Sequence, residues 1–421
     1  LRFKTKKSIL RGETYIPGSK SHTIRALFIA SLAEGISKIA RPLVSADAIS
    51  ALNACRSFGA KITEGADWIV EGTGGKISLT ADTIDVGNSG TTARFALGMA
   101  SLGEGEVIIT GDEQTRSRLM GSLIDALNNL GAQISYLGKE GYLPVKVKGK
   151  ISGGSTSVSG VTSQFLSSLL INTPLADNDS EILVDQLNEK PYVEITLNWL
   201  ESEGIAYERD GYKRFTIKGG QKYKPFSRQI PADFSSASFF LAACVLEGTD
   251  ILIKGLDMND TQGDKEIIKY LTAMGGDISI TTEGIRVKGG KLKGIEIDMN
   301  DTPDALPIMS VVGCLASGQT ILKNVPQARL KETDRINVMC QELKKMGGDI
   351  EELPDGLIIK ESKLQGTKVE GHGDHRVIMS MSIAGMAAEG ETIVEGAESV
   401  NITFPTFADI MQSLKAQIVS E

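Results

Sequence analysis

Residues 17–35 read PGSKSHTIRALFIASLAEG, a glycine turn with Lys20 that opens directly into an apolar helical run and closes on Gly35. Five further runs repeat the plan: TTARFALGMASLGEG to Gly105, TSQFLSSLLINTPLA to Ala176, SSASFFLAACVLEG to Gly248, DALPIMSVVGCLASG to Gly318 and HRVIMSMSIAGMAAEG to Gly390. The closing residues are spaced 70–72 positions apart, a regularity that composition alone does not produce. After each run and a short β-rich stretch comes a second, amphipathic helix. Five of these typically end in Gly before a strand: AISALNACRSFGAKI, LMGSLIDALNNLGAQI, VEITLNWLESEGIAY, IIKYLTAMGGDI and INVMCQELKKMGGDI; the sixth, TFADIMQSLKAQI, lacks the Gly. In the fifth, Ile336, Met339, Cys340 and Leu343 form one apolar stripe at i, i+3, i+4, i+7. Pieces such as GEVIITG, LPVKVKG, RFTIKGG and DGLIIKES supply strands, so each copy reads as an α/β module of two helices and about four short strands.

Six modules divide as three and three, with the break near Lys224-Pro225-Phe226 ahead of the fourth copy at Pro231-Ala232-Asp233. The expected organisation is a first lobe of residues 17–225 and a second of residues 1–16 plus 226–421. Residues 3–16 are strand-like and resemble the tail of a module, which places them with the second lobe and makes the chain cross twice, once beside Lys20.

A chain of 421 residues, 41% of them apolar, exceeds one ordinary core and can supply two. Its net charge of −8 and pI near 5.3 argue against nucleic-acid or membrane-surface partners. Anion sites must therefore come from local cation placement. Cys55, Cys244, Cys314 and Cys340 are scattered and form no CxxC pair, which fits a reducing, cytoplasmic setting. The basic N-terminus precedes no apolar signal region, and no window approaches 18 uncharged apolar residues, so neither secretion nor membrane insertion is expected.

Polar residues suited to chemistry collect at helix starts: Lys20, Ser21 and Arg25; Asn88-Ser89-Gly90-Thr91-Thr92-Ala93-Arg94; Thr162-Ser163-Gln164; Asp304 after Pro303; Gly373-Asp374-His375-Arg376. Arg116, Arg118 and Lys331-Glu332-Thr333-Asp334-Arg335 add to them at second helices. Free N–H groups, the helix dipole and these cations suit anionic ligands with more than one charged group. Taken singly, Asn88, Thr162 and Asp304 also read as plain N-caps, and Arg94 and Arg376 as solvated or paired side chains. Asp304 and Glu332 stand out as proton-transfer candidates, although positive surroundings make a carboxylate a weaker base. His372-Gly373-Asp374-His375 hints at a metal, but with three His in the chain and no accompanying ligand cluster, no metal site is expected.

In order and spacing, PGSKSHTIRAL, GNSGTTAR, LKETDR and GDHR resemble the 5-enolpyruvylshikimate-3-phosphate synthases over essentially the whole chain. The resemblance implies an α/β fold of two similar lobes, each of three repeated units, the inside-out α/β barrel of the enolpyruvyl transferases, closing over the substrates. It implies transfer of the enolpyruvyl group of phosphoenolpyruvate to the 5-hydroxyl of shikimate 3-phosphate with loss of phosphate, on the path to chorismate and aromatic amino acids, without metal or organic cofactor. By the same resemblance, Lys20, Ser21, Arg25, Thr162, Ser163, Gln164, Tyr192, Asp304, Gln327 and Lys331 hold shikimate 3-phosphate. Lys20, Asn88, Gly90, Thr91, Arg118, Gln164, Arg335 and Arg376 hold phosphoenolpyruvate, while Asp304, Glu332 and Lys20 are catalytic. Asp304 takes the hydroxyl proton, and Glu332 handles the proton at the enol methylene.

The chain departs from the family pattern in ways that bear on phosphoenolpyruvate binding more than on reaction type. Ile402 stands before Thr403-Phe404-Pro405 where the family commonly has Lys, Arg118-Leu119 replaces Arg-Pro, and Gln327 replaces Asn. Separately, Thr162 replaces the first Ser of the clamp for the shikimate phosphate. Two alternatives accompany the main reading. The UDP-N-acetylglucosamine enolpyruvyl transferases share the repeated fold but typically carry a Cys in a loop of the second unit, and residues 112–120 contain none. A non-catalytic anion-binding paralogue is the other. A monomer is expected.

Overall fold

The computed structural model describes residues 1–421. The chain divides into two compact units, Gly18–Ile230 and Leu1–Pro17 with Pro231–Glu421. Each unit contains three four-stranded sheets built on one plan. A first strand lies parallel to a second, the leading helix crosses between them, and the amphipathic second helix then delivers an antiparallel pair. In the fifth copy, for example, Glu296–Asp298 pairs parallel with Gln319–Lys323, which pairs antiparallel with Gly356–Lys360, and Asp349–Leu353 forms the far edge. A parallel pair needs a long crossover connection, and the helix Leu306–Leu315 provides it.

The leading helices are apolar almost all round because they are buried on every side. In Lys20–Leu32 every residue from His22 to Leu32 is buried, and in His375–Ala387 every residue from His375 to Met386. The second helices bury one stripe; in Arg335–Lys345 it includes Ile336, Met339, Cys340 and Leu343. Close helix contact makes glycine necessary at Gly98 in the helix Gly90–Ala100, where a Cβ would lie 2.3 Å from Asn172 Nδ2 and 2.6 Å from Ser168 Oγ.

Two copies borrow their first strand. Arg11–Tyr15, just before the first leading helix, pairs parallel with Asp250–Lys254 of the fourth copy. Ser227–Gln229, just before the fourth leading helix, pairs parallel with Ile36–Ala40 of the first. Arg2–Lys6 completes the sixth sheet between Glu391–Glu395 and Gln417–Ser420. The chain thus passes between units at Pro17–Gly18 and Ile230–Pro231. Each unit has its own apolar core, one around Phe28, Phe95, Phe165 and Trp199, the other around Phe239, Phe240, Phe404 and Phe407. No helix is long and apolar enough to cross a membrane.

Candidate active site

In Gly18–Ile230 the starts of three leading helices carry the polar residues. Lys20 opens the first helix, and its Nζ lies 3.2 Å from Asp47 Oδ2. Ser21 follows, and its carbonyl accepts from Arg25 Nη1 at 3.1 Å. Arg25 is 1% exposed; it also donates from Nε to Thr196 Oγ1 (2.8 Å) and from Nη2 to Ser167 Oγ (3.3 Å) and the Tyr192 carbonyl (2.9 Å). Its guanidinium lies over the Phe95 ring at 5.4 Å. Burial pushes its pKa down to about 10, so it stays charged at neutral pH while joining the first copy to the second and third.

At the second helix start, Ser89 is the N-cap, with its Oγ 3.4 Å from the Thr92 N–H. Asn88, which the sequence also allowed as a cap, instead donates from Nδ2 to Asp112 Oδ2 (2.8 Å) and to Gln114 Oε1. A Cβ at Gly90 would lie 2.5 Å from Arg118 Nη1 and 2.7 Å from Arg94 Nη1, so a side chain there would have to push both guanidinium groups aside. Two guanidinium groups thus come against one helix N-terminus, with the half-buried Thr91 beside them. Arg94 donates from Nη1 to Gln164 Oε1 at 2.7 Å, and Arg118 from Nη2 to Gln114 Oε1 at 3.5 Å. At the third start, Thr162 caps the helix Ser163–Asn172. Glu189 Oε2 accepts from Ser163 Oγ (2.8 Å), Ser163 N–H (3.3 Å) and Thr162 Oγ1 (3.5 Å). Tyr192 is half-buried two residues after Lys190, the first residue of its helix.

The other unit assembles a charged cluster. Asp304 lies in the short turn Pro303–Ala305 and is not a side-chain cap. Its Oδ1 accepts from Arg335 Nη1 at 2.8 Å and lies 3.8 Å from Lys331 Nζ; its Oδ2 is 2.9 Å from Arg376 Nη2. Arg335, 1% exposed, also donates to Glu332 Oε2 (2.6 Å) and from Nε to Asp374 Oδ2 (2.7 Å). Burial works against its charge, but Asp374, Glu332 and Asp304 outweigh it and raise its pKa above the ordinary value. Asp374 caps the helix His375–Ala387 through the Arg376 N–H at 2.8 Å. Arg376 Nη2 also donates to Ser235 Oγ (2.8 Å), and Ser235 donates to the buried Asp264 Oδ2 (2.5 Å).

Gln327 is buried and donates to the Asn300 carbonyl at 2.8 Å. His372 Nε2 is 2.7 Å from Glu342 Oε1, and no group of three or more His, Cys, Asp or Glu is arranged to hold a metal ion. Ile402 ends the turn Ala397–Ile402. Sequence reading placed Arg94 and Asp374 among the polar helix-start residues without a specific contact, and did not single out Ser235, Asp264 or Glu189, which reach their partners through tertiary packing.

The family described as EPSP synthase (3-phosphoshikimate 1-carboxyvinyltransferase) matches residues 4–411. The chain belongs to the EPSP synthase family. The 3-phosphoshikimate 1-carboxyvinyltransferase of Acetivibrio thermocellus is 54% identical over 416 residues, covering 99% of this chain and 98% of its own. The protein of the same name from Methanocaldococcus jannaschii is 44% identical and covers 97% of each chain. Among solved structures, an EPSP synthase from Acinetobacter baumannii superposes with a TM-score of 0.85 at 28% identity, over 100% of both chains. The six-sheet, two-unit α/β architecture is thus that of the EPSP synthases, the fold the sequence motifs imply.

Proposed function

We propose that the chain transfers the enolpyruvyl group of phosphoenolpyruvate to the 5-hydroxyl of shikimate 3-phosphate, releasing phosphate. The observation that carries the chemistry is Asp304, held by Arg335 and Arg376 with Lys331 nearby, while Glu332 shares Arg335. A proton delivered to the enol methylene carbon makes the adjacent carbon electrophilic, and the hydroxyl adds to it as its own proton leaves. The tetrahedral intermediate then loses a proton from the newly formed methyl group together with phosphate, which restores the carbon–carbon double bond. Asp304 takes the hydroxyl proton, and Glu332 gives the proton to the methylene carbon and later removes one from the methyl group.

The remaining residues bind and position. Arg118, Arg335, Arg376 and Lys20 suit the carboxylate and phosphate of phosphoenolpyruvate, with Asn88, Gly90, Thr91 and Gln164 supplying neutral donors. Thr162, Ser163 and Gln164 suit the phosphate of the other substrate; Lys20, Ser21, Arg25, Tyr192, Gln327 and Lys331 complete that set. Arg25 contributes through the framework it holds. Catalysis is then positioning and electrostatics, with no organic cofactor or metal in any step. The reading includes two lobes, Gly18–Ile230 and Leu1–Pro17 with Pro231–Glu421, in a monomer working in the cytoplasm.

The test is phosphate release by purified protein supplied with phosphoenolpyruvate and shikimate 3-phosphate, beside a reaction containing UDP-N-acetylglucosamine instead. Release in the first alone, with the enolpyruvyl product confirmed by mass, is expected. Release in the second alone would reassign the acceptor, and silence in both from folded protein would favour a non-catalytic anion-binding protein.

A further inference from the structure

The Thr162–Ser163 hydroxyls and the Ser163 N–H are the donors assigned above to a substrate phosphate, yet a carboxylate of the chain already sits on them. Glu189 Oε2 accepts from Ser163 Oγ, Ser163 N–H and Thr162 Oγ1 at 2.8, 3.3 and 3.5 Å. Glu189 is 1% exposed, so this anion is held inside the unit and not on a solvated rim. Its backbone is left-handed, with φ 57° and ψ 42°, immediately before the helix Lys190–Ser202. The segment is anchored by Asn188 N–H to the Gly160 carbonyl at 2.9 Å and by Tyr192 N–H to the Glu189 carbonyl at 3.0 Å.

A phosphate dianion cannot share these donors with a buried carboxylate, because like charges a few ångströms apart with little water between them repel strongly. We propose that Glu189 is a specificity-determining residue whose carboxylate occupies the Thr162–Ser163 donors in the free protein and is displaced when a phosphorylated acceptor binds. This rests on the acceptor reading given above. Affinity for the phosphate is set below what the clamp offers, because each binding event must first release the internal anion. The clamp is in return kept ordered while empty, with its hydroxyls and helix N–H satisfied.

Glu189→Gln isolates the charge, since the amide oxygen still accepts from the Ser163 N–H and the side-chain shape is kept. Glu189→Ser serves as a second variant that removes the long side chain. Calorimetric titration of each full-length protein with shikimate 3-phosphate, and separately with shikimate, reads the phosphate contribution alone. The expected result is that both variants bind shikimate 3-phosphate about tenfold more tightly than the parent, while shikimate affinity stays within twofold. Unchanged or weaker binding of shikimate 3-phosphate by the Gln variant would overturn the proposal, as would equal shifts for both ligands, which mark a general structural effect. Turnover of the parent with phosphoenolpyruvate is measured alongside. Its absence would sink the acceptor reading itself, whereas parental turnover with unshifted variants would sink only the role of Glu189.

Discussion

Asp304 is the residue on which the chemistry turns, and its surroundings pull in opposite directions. Arg335, Arg376 and Lys331 hold it in place, and the same cations disfavour its taking a proton. If it is nevertheless the base, Asp304→Ala should retain shikimate 3-phosphate binding and lose roughly 100- to 10,000-fold in kcat. Direct titration with a parallel steady-state assay checks this; near-parental turnover would remove Asp304 from the mechanism. Asp264, behind Ser235, titrates differently. Burial, then Asp304, with a smaller push from Asp233, raises its carboxyl to about 6 from an ordinary 3.8, against the lowering pull of Arg376 and the Ser235 hydrogen bond. Because the folded-state pKa lies above the unfolded one, its contribution to stability is fully present below about pH 4 and is lost as pH rises through about 6. Asp264→Asn has no such titration. Its stability relative to the parent should therefore improve between pH 4 and pH 7, by up to about 3 kcal/mol. Urea unfolding of both proteins across that range measures the difference, and parallel curves would contradict it.

The leading helices could be read directly from the chain because burial on every side demands continuous apolarity, and six such runs at a near-constant spacing leave little freedom. Cap identity was harder to read. Asn88 and Ser89 both have capping side chains, and which one caps depends on whether Asp112 and Gln114 arrive to take the Asn88 amide, a contact made across 24 or more residues. Close packing between elements was also invisible, since one glycine in an apolar run looks like any other. Gly98 is such a case: the helix Gly90–Ala100 approaches Ser163–Asn172 so nearly that a methyl group would meet Asn172 and Ser168. Ser168 Oγ already donates to the Arg94 carbonyl at 2.7 Å, so the helices have little room to part. Gly98→Ala should cost about 1–3 kcal/mol despite the better helix propensity of Ala. Chemical denaturation reads this out, and a neutral or stabilising result would show that the contact relaxes freely.

At the scale of the molecule, the chain has two apolar cores with no residue in common, and each unit completes a sheet with a strand distant in sequence from its partner. Such units are expected to unfold with partial independence. Scanning calorimetry without ligands should give a calorimetric enthalpy larger than the van't Hoff enthalpy, and a ratio of one would show instead that they melt as a single cooperative body. The repeats, the α/β class and the motifs that mark the family follow from the order of residues alone, because periodic burial and helix-start chemistry are local properties of a chain. The pairing of Ser227–Gln229 with Ile36–Ala40, the reach of Arg25 to Ser167, Tyr192 and Thr196, that of Arg335 to Asp304 and Asp374, and the seat of Glu189 on Ser163 were decided only in the tertiary structure. Each joins residues far apart in sequence, and a charge or hydroxyl acquires its role from whichever opposite group the fold carries to within hydrogen-bond reach.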